Sequence, residues 1–215
     1  MAFEGFPEQA LVFYEGLEAD NSKAYWTDHK AVYDRAVRAP LDAMLADLAP
    51  EFGPAKVFRP YRDVRFSKDK TPYKTHAAAV VEQDGSLYVQ LGADGLFVGG
   101  GYWHTESDQV QRLRAAVDDD LSGRQLQAVL DGLAGWELMG ERLKRMPKPY
   151  APDHPRAGLL LHKSLAAGLR LEPDEWLHGP ECVERVAAAW RQVQPLNAWL
   201  SQHVGPTRLE KPARR

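Results

Sequence analysis

The chain has 215 residues, 44% hydrophobic and 27% charged, with a net charge of −3. That length is ample for a hydrophobic core without disulfide or metal staples, and no apolar run approaches the ~20 residues of a membrane-spanning helix. The mild acidity disfavours a duplex-binding protein, which carries a broad basic face.

Export is not indicated, because the start, MAFEGFPEQALVF, carries acids where a leader carries cations and lacks a small-residue cleavage pattern. The single cysteine, Cys182, excludes an intramolecular disulfide and a thiolate-rich metal cluster, and fits a reducing, cytoplasmic compartment. It sits in a helical pattern, PECVERVAAAW, where it reads as a small apolar residue rather than a nucleophile.

In chain order, Ala10, Leu11, Tyr14 and Leu17 recur at helical spacing and predict a helix over 7–19, with Pro7 in its first turn. Asn21 or Ser22 suits the cap of a second helix, in which Tyr25, His29, Val32 and Ala36 extend one face toward Arg38. Pro40 predicts a break or kink, and a third helix over 41–49 ends at Pro50 and the Gly53–Pro54 punctuation. The period then turns to alternation. KVFRPYRDVRF, AAAVVEQ, SLYVQLG and GLFVGGG read as short strands, the last three joined by turns of hairpin length into an antiparallel meander.

Thr105 suits the cap of a helix that puts Val110, Leu113 and Val117 on one face, and SGRQLQAVLDGL makes another. WELMGERLKR reads as an edge strand near 136–139, followed by the proline-rich loop MPKPYAPDHP, which excludes regular structure. A short helix over 155–163, a strand at LAAGLRL (165–171) and two helices over about 180–192 and 194–203 complete the chain. Residues 206–215 bury little and read as a disordered basic tail, leaving a single domain over 1–205. The fold class is α+β, a mainly antiparallel sheet of four to six strands covered by helices from both termini.

Residues 59–76 are the feature that points to chemistry. Arg59, Arg62, Arg65, Lys68, Lys70 and Lys74 stand there against Asp63 and Asp69, a local +4, so the rest of the chain carries −7. If 57–67 is extended, Phe58, Val64 and Phe66 share one face with Arg62, while Arg59, Tyr61, Asp63, Arg65 and Ser67 share the other. Pro72 then turns SKDKTPYK into a loop that gathers many donors and few acceptors, an inventory suited to an oxyanion. The competing reading is structural, with Asp63 neutralising Arg59 and Arg65 in a cross-strand ion network and the lysines merely solvated.

The string RPYRDVRFSKDKTPYKTH, with GGGYW, GERLKRMPKPYAPDHP and the LLLHKS that follows, resembles the bacterial and fungal family catalogued as domain of unknown function 2461 over roughly residues 5–203. The resemblance implies an α+β domain and carries over no catalytic residues.

Elsewhere, Gly99, Gly100 and Gly101 precede a helix without a phosphate-loop pattern, and three glycines at a strand end more often allow close packing. Seven histidines are scattered without a ligand pairing on one element. The one grouping to be tested in space joins His76 and His104 to Asp153 or Glu82; no metal or cofactor is assigned. No serine elbow or Ser/Lys spacing occurs. Loop 146–155 reads as a packed connection, or alternatively as a lid.

The function expected is binding, with or without turnover, of a small phosphate- or carboxylate-bearing ligand. Arg59, Arg62 and Arg65 would clamp the anion, Lys68, Lys70 and Lys74 would add charge, Tyr73 would donate or stack, and Asp63 or Asp69 would accept a proton in any catalysis. The alternatives are a module that docks an acidic protein through Tyr61, Tyr73, Tyr102 and Trp103, and single-stranded nucleic-acid binding through the same rings and cations.

Overall fold

Three of the prolines that should interrupt helices, Pro40, Pro50 and Pro195, do not: Pro40 opens the third helix and Pro50 lies inside it, so that helix runs past the expected end at 49, and Pro195 lies inside the last helix. The protein is described by a computed structural model over residues 2–65, 67–83 and 85–210. Helix α1 (Gln9–Ala19) is followed by α2 (Lys23–Val32), whose cap is Ser22, its hydroxyl accepting Tyr25 N–H at 3.1 Å. The chain then runs unbroken through a π-helical stretch, Tyr33–Arg38, into α3 (Ala39–Phe52). Ala39 N–H reaches back five residues to Asp34 O, and this wider turn relieves Pro40 of the clash its ring makes with the carbonyl four residues earlier. The predicted break at Pro40 is therefore a π turn.

The strands are β1 (Ala55–Val57), β2 (His76–Gln83), β3 (Gly85–Gly92), β4 (Gly95–Tyr102), β5 (Glu137–Met139) and β6 (Leu165–Leu171). They form one six-stranded antiparallel sheet in the order β1-β2-β3-β4-β6-β5, which makes the fold α+β as read. Lys56 pairs with Val80, and Leu138 pairs with Ala167. Alternation holds in β3, where Leu87, Val89 and Leu91 are buried while Tyr88, Gln90 and Gly92 are half-exposed.

The first strand is shorter than expected. β1 ends at Val57, and 58–65 does not continue it as an unbroken ladder, because Pro60 and Pro72 supply carbonyls but no N–H. The face assigned to Phe66 lies outside the described residues.

Helix α4 (Ser107–Asp118) begins one residue later than the Thr105 cap predicted. Glu106 and Gln109 form its capping box, and the Thr105 hydroxyl donates instead to Lys163 O at 2.5 Å. α5 (Asp120–Asp131) and the short α6 (Ala157–Leu160) follow. The two C-terminal helices expected are one, α7 (Glu181–His203), with Pro195 inside it. Pro195 is exposed, while Val193, Leu196, Trp199 and Leu200 are buried around it, so packing on one face holds the axis through the missing hydrogen bond.

Contacts divide the chain into two compact units. The first comprises Met1–Glu82, Leu87–Val98 and Arg170–Ala189, and its core includes Phe6, Phe13, Tyr14, Leu41, Met44 and Phe52 with Cys182, whose thiol burial pushes up to about 12. The second comprises Gln83–Ser86, Gly99–Leu169 and Trp190–Arg215. There Trp199 Nε1 donates to Ser122 O at 3.0 Å, and the buried Arg156 closes the end of α4 by donating to Val117 O at 2.6 Å and Asp118 O at 2.9 Å. His154 lies 3.2 Å from Asp118, so the end of loop 146–155 is tied to its own unit as a packed connection.

The glycine run is explained by contact. A Cβ on Gly100 would lie 2.7 Å from Val193, and one on Gly101, at φ +127°, would lie 2.4 Å from the Ala166 Cα. Among the described residues, no helix is long and apolar enough to cross a membrane.

Candidate functional site

Residues 58–65 and 67–78 form the two arms of an irregular hairpin in the first unit. Phe58 N–H donates to Ala78 O at 2.9 Å, Lys74 N–H to Pro60 O at 2.8 Å and Arg62 N–H to Pro72 O at 2.9 Å, with Tyr61 opposite Tyr73. These rungs put Phe58, Arg62, Lys74 and His76 on one face and Tyr61 and Tyr73 on the other.

The Tyr73 face points inward. Its ring stacks on Trp26 at 4.4 Å and 9°, and Tyr61 leans on both, half of its own surface remaining open at 48% exposure. Asn21, a candidate helix cap, instead holds Tyr73 by its backbone: Tyr73 N–H donates to Asn21 Oδ1 and Asn21 Nδ2 donates to Tyr73 O, both at 3.1 Å. A side-chain amide thus replaces a neighbouring strand. Tyr73 is a structural anchor of the hairpin and is not presented to a ligand.

At the tip, both acids are spent on their neighbours. Asp63 accepts Arg65 Nη2 at 2.7 Å and Nε at 3.0 Å, and the Arg65 side-chain hydrogen bonds hold the carboxyl at about 2. Asp69 accepts Thr71 N–H at 2.9 Å and the Thr71 hydroxyl at 2.8 Å, together with Arg62 Nη1, and the Thr71 backbone bond leads in holding it also at about 2. Lys70 Nζ donates to Val64 O at 2.9 Å. Each carboxylate is thus engaged by its own neighbours at the tip. The stabilisation they lend the tip is present above the ordinary carboxylate range and fades as pH falls toward 2. Arg65 is bonded to Asp63 and Lys70 to the Val64 carbonyl, both within the tip.

The other face is different. Lys74 Nζ stands 5.0 Å over the Phe58 ring, partly withdrawn from water. Burial, and then Arg59, hold its ammonium below the ordinary lysine value. Next to it burial, then Lys74, then Arg62 push the His76 imidazole down. No acid from elsewhere forms a salt bridge to Arg59, Lys74 or His76 among the described residues. Lys68 is exposed at the tip with no ion pair among the described residues. Like charges therefore gather on one face, while the pairs that could neutralise them are used up at the tip.

In the sequence Phe58 shares a face with Val64, Phe66 and Arg62, and His76 is weighed for a metal; neither is assigned to the anion. Their signal is the shared even parity of 58, 62, 74 and 76, which puts them on one face only once the rungs are known. Among the described residues, no group of three or more His, Cys, Asp or Glu side chains is placed to hold a metal ion.

A family model described as conserved hypothetical protein (DUF2461) matches residues 9–199. The chain belongs to the DUF2461 family. No curated protein matches it. The match spans the helices, the sheet and the basic hairpin, so the hairpin is part of the DUF2461 domain and not an appendage to it.

Proposed function

We propose that this DUF2461 protein binds a small phosphate- or carboxylate-bearing molecule at the basic hairpin, on the face formed by Arg62, Lys74 and His76 with Arg59 beside them. The observation that carries the reading is Lys74: a partly buried ammonium over an aromatic ring, with Arg59 as its charged neighbour and no carboxylate partner among the described residues. An unpaired, desolvated cation costs free energy that a bound anion returns as charge-assisted hydrogen bonds. Arg62, fixed by Asp69 and Thr71, offers its remaining guanidinium N–H groups in a set orientation. Arg65, Lys68 and Lys70 at the tip draw the anion in at longer range. We also place the protein in a reducing cytoplasm, in keeping with its one buried cysteine.

The test is a melting curve of the full chain in sulfate, phosphate esters and dicarboxylates at fixed ionic strength. Millimolar anion should raise Tm of the native protein, as any ligand of the folded state does. Lys74→Met should cancel the rise, since it keeps the stem over Phe58 and removes only the charge, and Arg65→Ala should preserve it. No shift with any anion would overturn the reading, as would a shift that survives Lys74→Met.

A further inference from the structure

The half-exposed face of β3 extends the anion site toward the body of its ligand. Gly92 stands across from His76, where a Cβ on it would lie 3.8 Å from the His76 Cβ. Side chains alternate along a strand, so Gln90 and Tyr88 follow Gly92 on that same face, each about 6.7 Å further on. The Tyr88 hydroxyl donates to Gln90 Oε1 at 2.8 Å, and its ring meets Phe97 of β4 edge to face, centroids 6.1 Å apart.

Three properties of this strip bear on a ligand. It is recessed, since burial pushes the Tyr88 phenol up to about 12, yet Tyr88, Gln90 and Phe97 all remain half-exposed beside the buried Leu87, Val89, Leu96 and Val98. It is aromatic at its far end, with two rings already meeting edge to face, a geometry that accepts a third ring. It also holds one directed donor. With Oε1 accepting from Tyr88, the Gln90 amide turns its NH2 the other way, and that group has no hydrogen-bond partner among the described residues. An inorganic oxyanion held by Lys74 and His76 would leave the Gln90 amide and the Phe97 ring untouched.

We infer that the ligand is an aromatic or heteroaromatic phosphate or carboxylate, its acid group against Arg62, Lys74 and His76 and its ring laid toward Tyr88 and Phe97. The Gln90 amide then donates to an ester oxygen or a ring acceptor. This assignment rests on the anion reading above and adds to it the chemical class of the substrate. Flat rings cover such a strip at little rotational cost, whereas a flexible polyol phosphate gains only the charge contacts.

Calorimetric titration of the full chain with phenyl phosphate, glycerol phosphate and sulfate distinguishes the two levels. Phenyl phosphate should bind about tenfold more tightly than glycerol phosphate, the ratio that one added aromatic contact supplies. Phe97→Leu should bring the two within about twofold and leave sulfate affinity unchanged. As a measurement on the native protein, the ring protons of bound phenyl phosphate should show Overhauser contacts to Phe97. Equal affinities for the two esters, a preference that persists in Phe97→Leu, or a bound ring without those contacts would each overturn the assignment while leaving the anion site standing. Failure of all three anions to bind would remove both.

Discussion

His76 is the residue whose titration reports the site most directly. Burial and two cationic neighbours push its imidazole below the ordinary 6.5, so the folded protein binds fewer protons there than the unfolded chain. The stability linked to it is present above pH 6.5 and declines as pH falls toward the folded value. A bound anion reverses the sign of the local field. In a proton NMR titration, His76 should titrate below 6.5 in free protein and move upward on saturation with sulfate, whose own charge does not change in that range. Sulfate affinity should accordingly rise as pH is lowered through the free value. An imidazole whose titration ignores sulfate would show that the anion sits elsewhere. Lys74, also held below its ordinary value, carries the same logic, whereas Asp63 and Asp69 serve the tip: their partners Arg65 and Thr71 lie within two residues of them, short loops that close at small entropic cost.

At the scale of elements, the hairpin depends on a helix entry. Asn21 spans both backbone groups of Tyr73, and the Trp26 ring stacked on Tyr73 comes from the helix that begins two residues after it. Asn21→Ala should leave an N–H and a C=O of a buried residue without partners and lower stability by about 2 kcal/mol, read from denaturant unfolding. The same variant should weaken anion binding, because the rungs that align Lys74 with Phe58 start at Tyr73. Unchanged stability would mean that water takes over both bonds. Elements were legible in the sequence where their apolar period ran long, as in α1, α5 and the β2–β4 meander, since periodicity reports burial whatever the partner. They were misread at prolines. Pro40 and Pro195 break local rules, yet a π turn absorbs the first and the buried face of α7 carries the helix past the second. Pro60 and Pro72 acted in the opposite sense and ended β1 early.

At the scale of the whole molecule, the chain is a DUF2461 domain whose described C-terminal residues are held down. Asp108 accepts the Thr207 hydroxyl and the Arg208 N–H, each at 2.8 Å, while Gln109 Nε2 donates to Gly205 O at 2.8 Å and Arg112 Nη2 to Pro206 O at 2.8 Å. The Arg208 bond, followed by those of Thr207 and Arg112, holds the Asp108 carboxyl well below its usual range. The tail read as disordered over 206–215 is thus anchored at 206–208; residues 211–215 lie outside the described residues. Arg208 N–H should exchange slowly with solvent deuterium in the native protein and at least tenfold faster in Asp108→Ala, whose lost charge-assisted bond corresponds to about that factor.

By itself the sequence determined the α+β class, the antiparallel meander, the buried cysteine and the concentration of cations at 59–76. These follow from local period and composition, which depend on neighbours along the chain alone. Only the tertiary structure decided which of those cations are available. Arg65 and Lys70 are bonded within the tip, Arg62 is held there through Nη1 alone, and Lys74 is set over Phe58 next to His76, because the two arms pair through the irregular rungs at 60, 62, 72 and 74. A one-residue change in that register exchanges the inward and outward faces, and no period in the sequence specifies register where prolines interrupt the ladder.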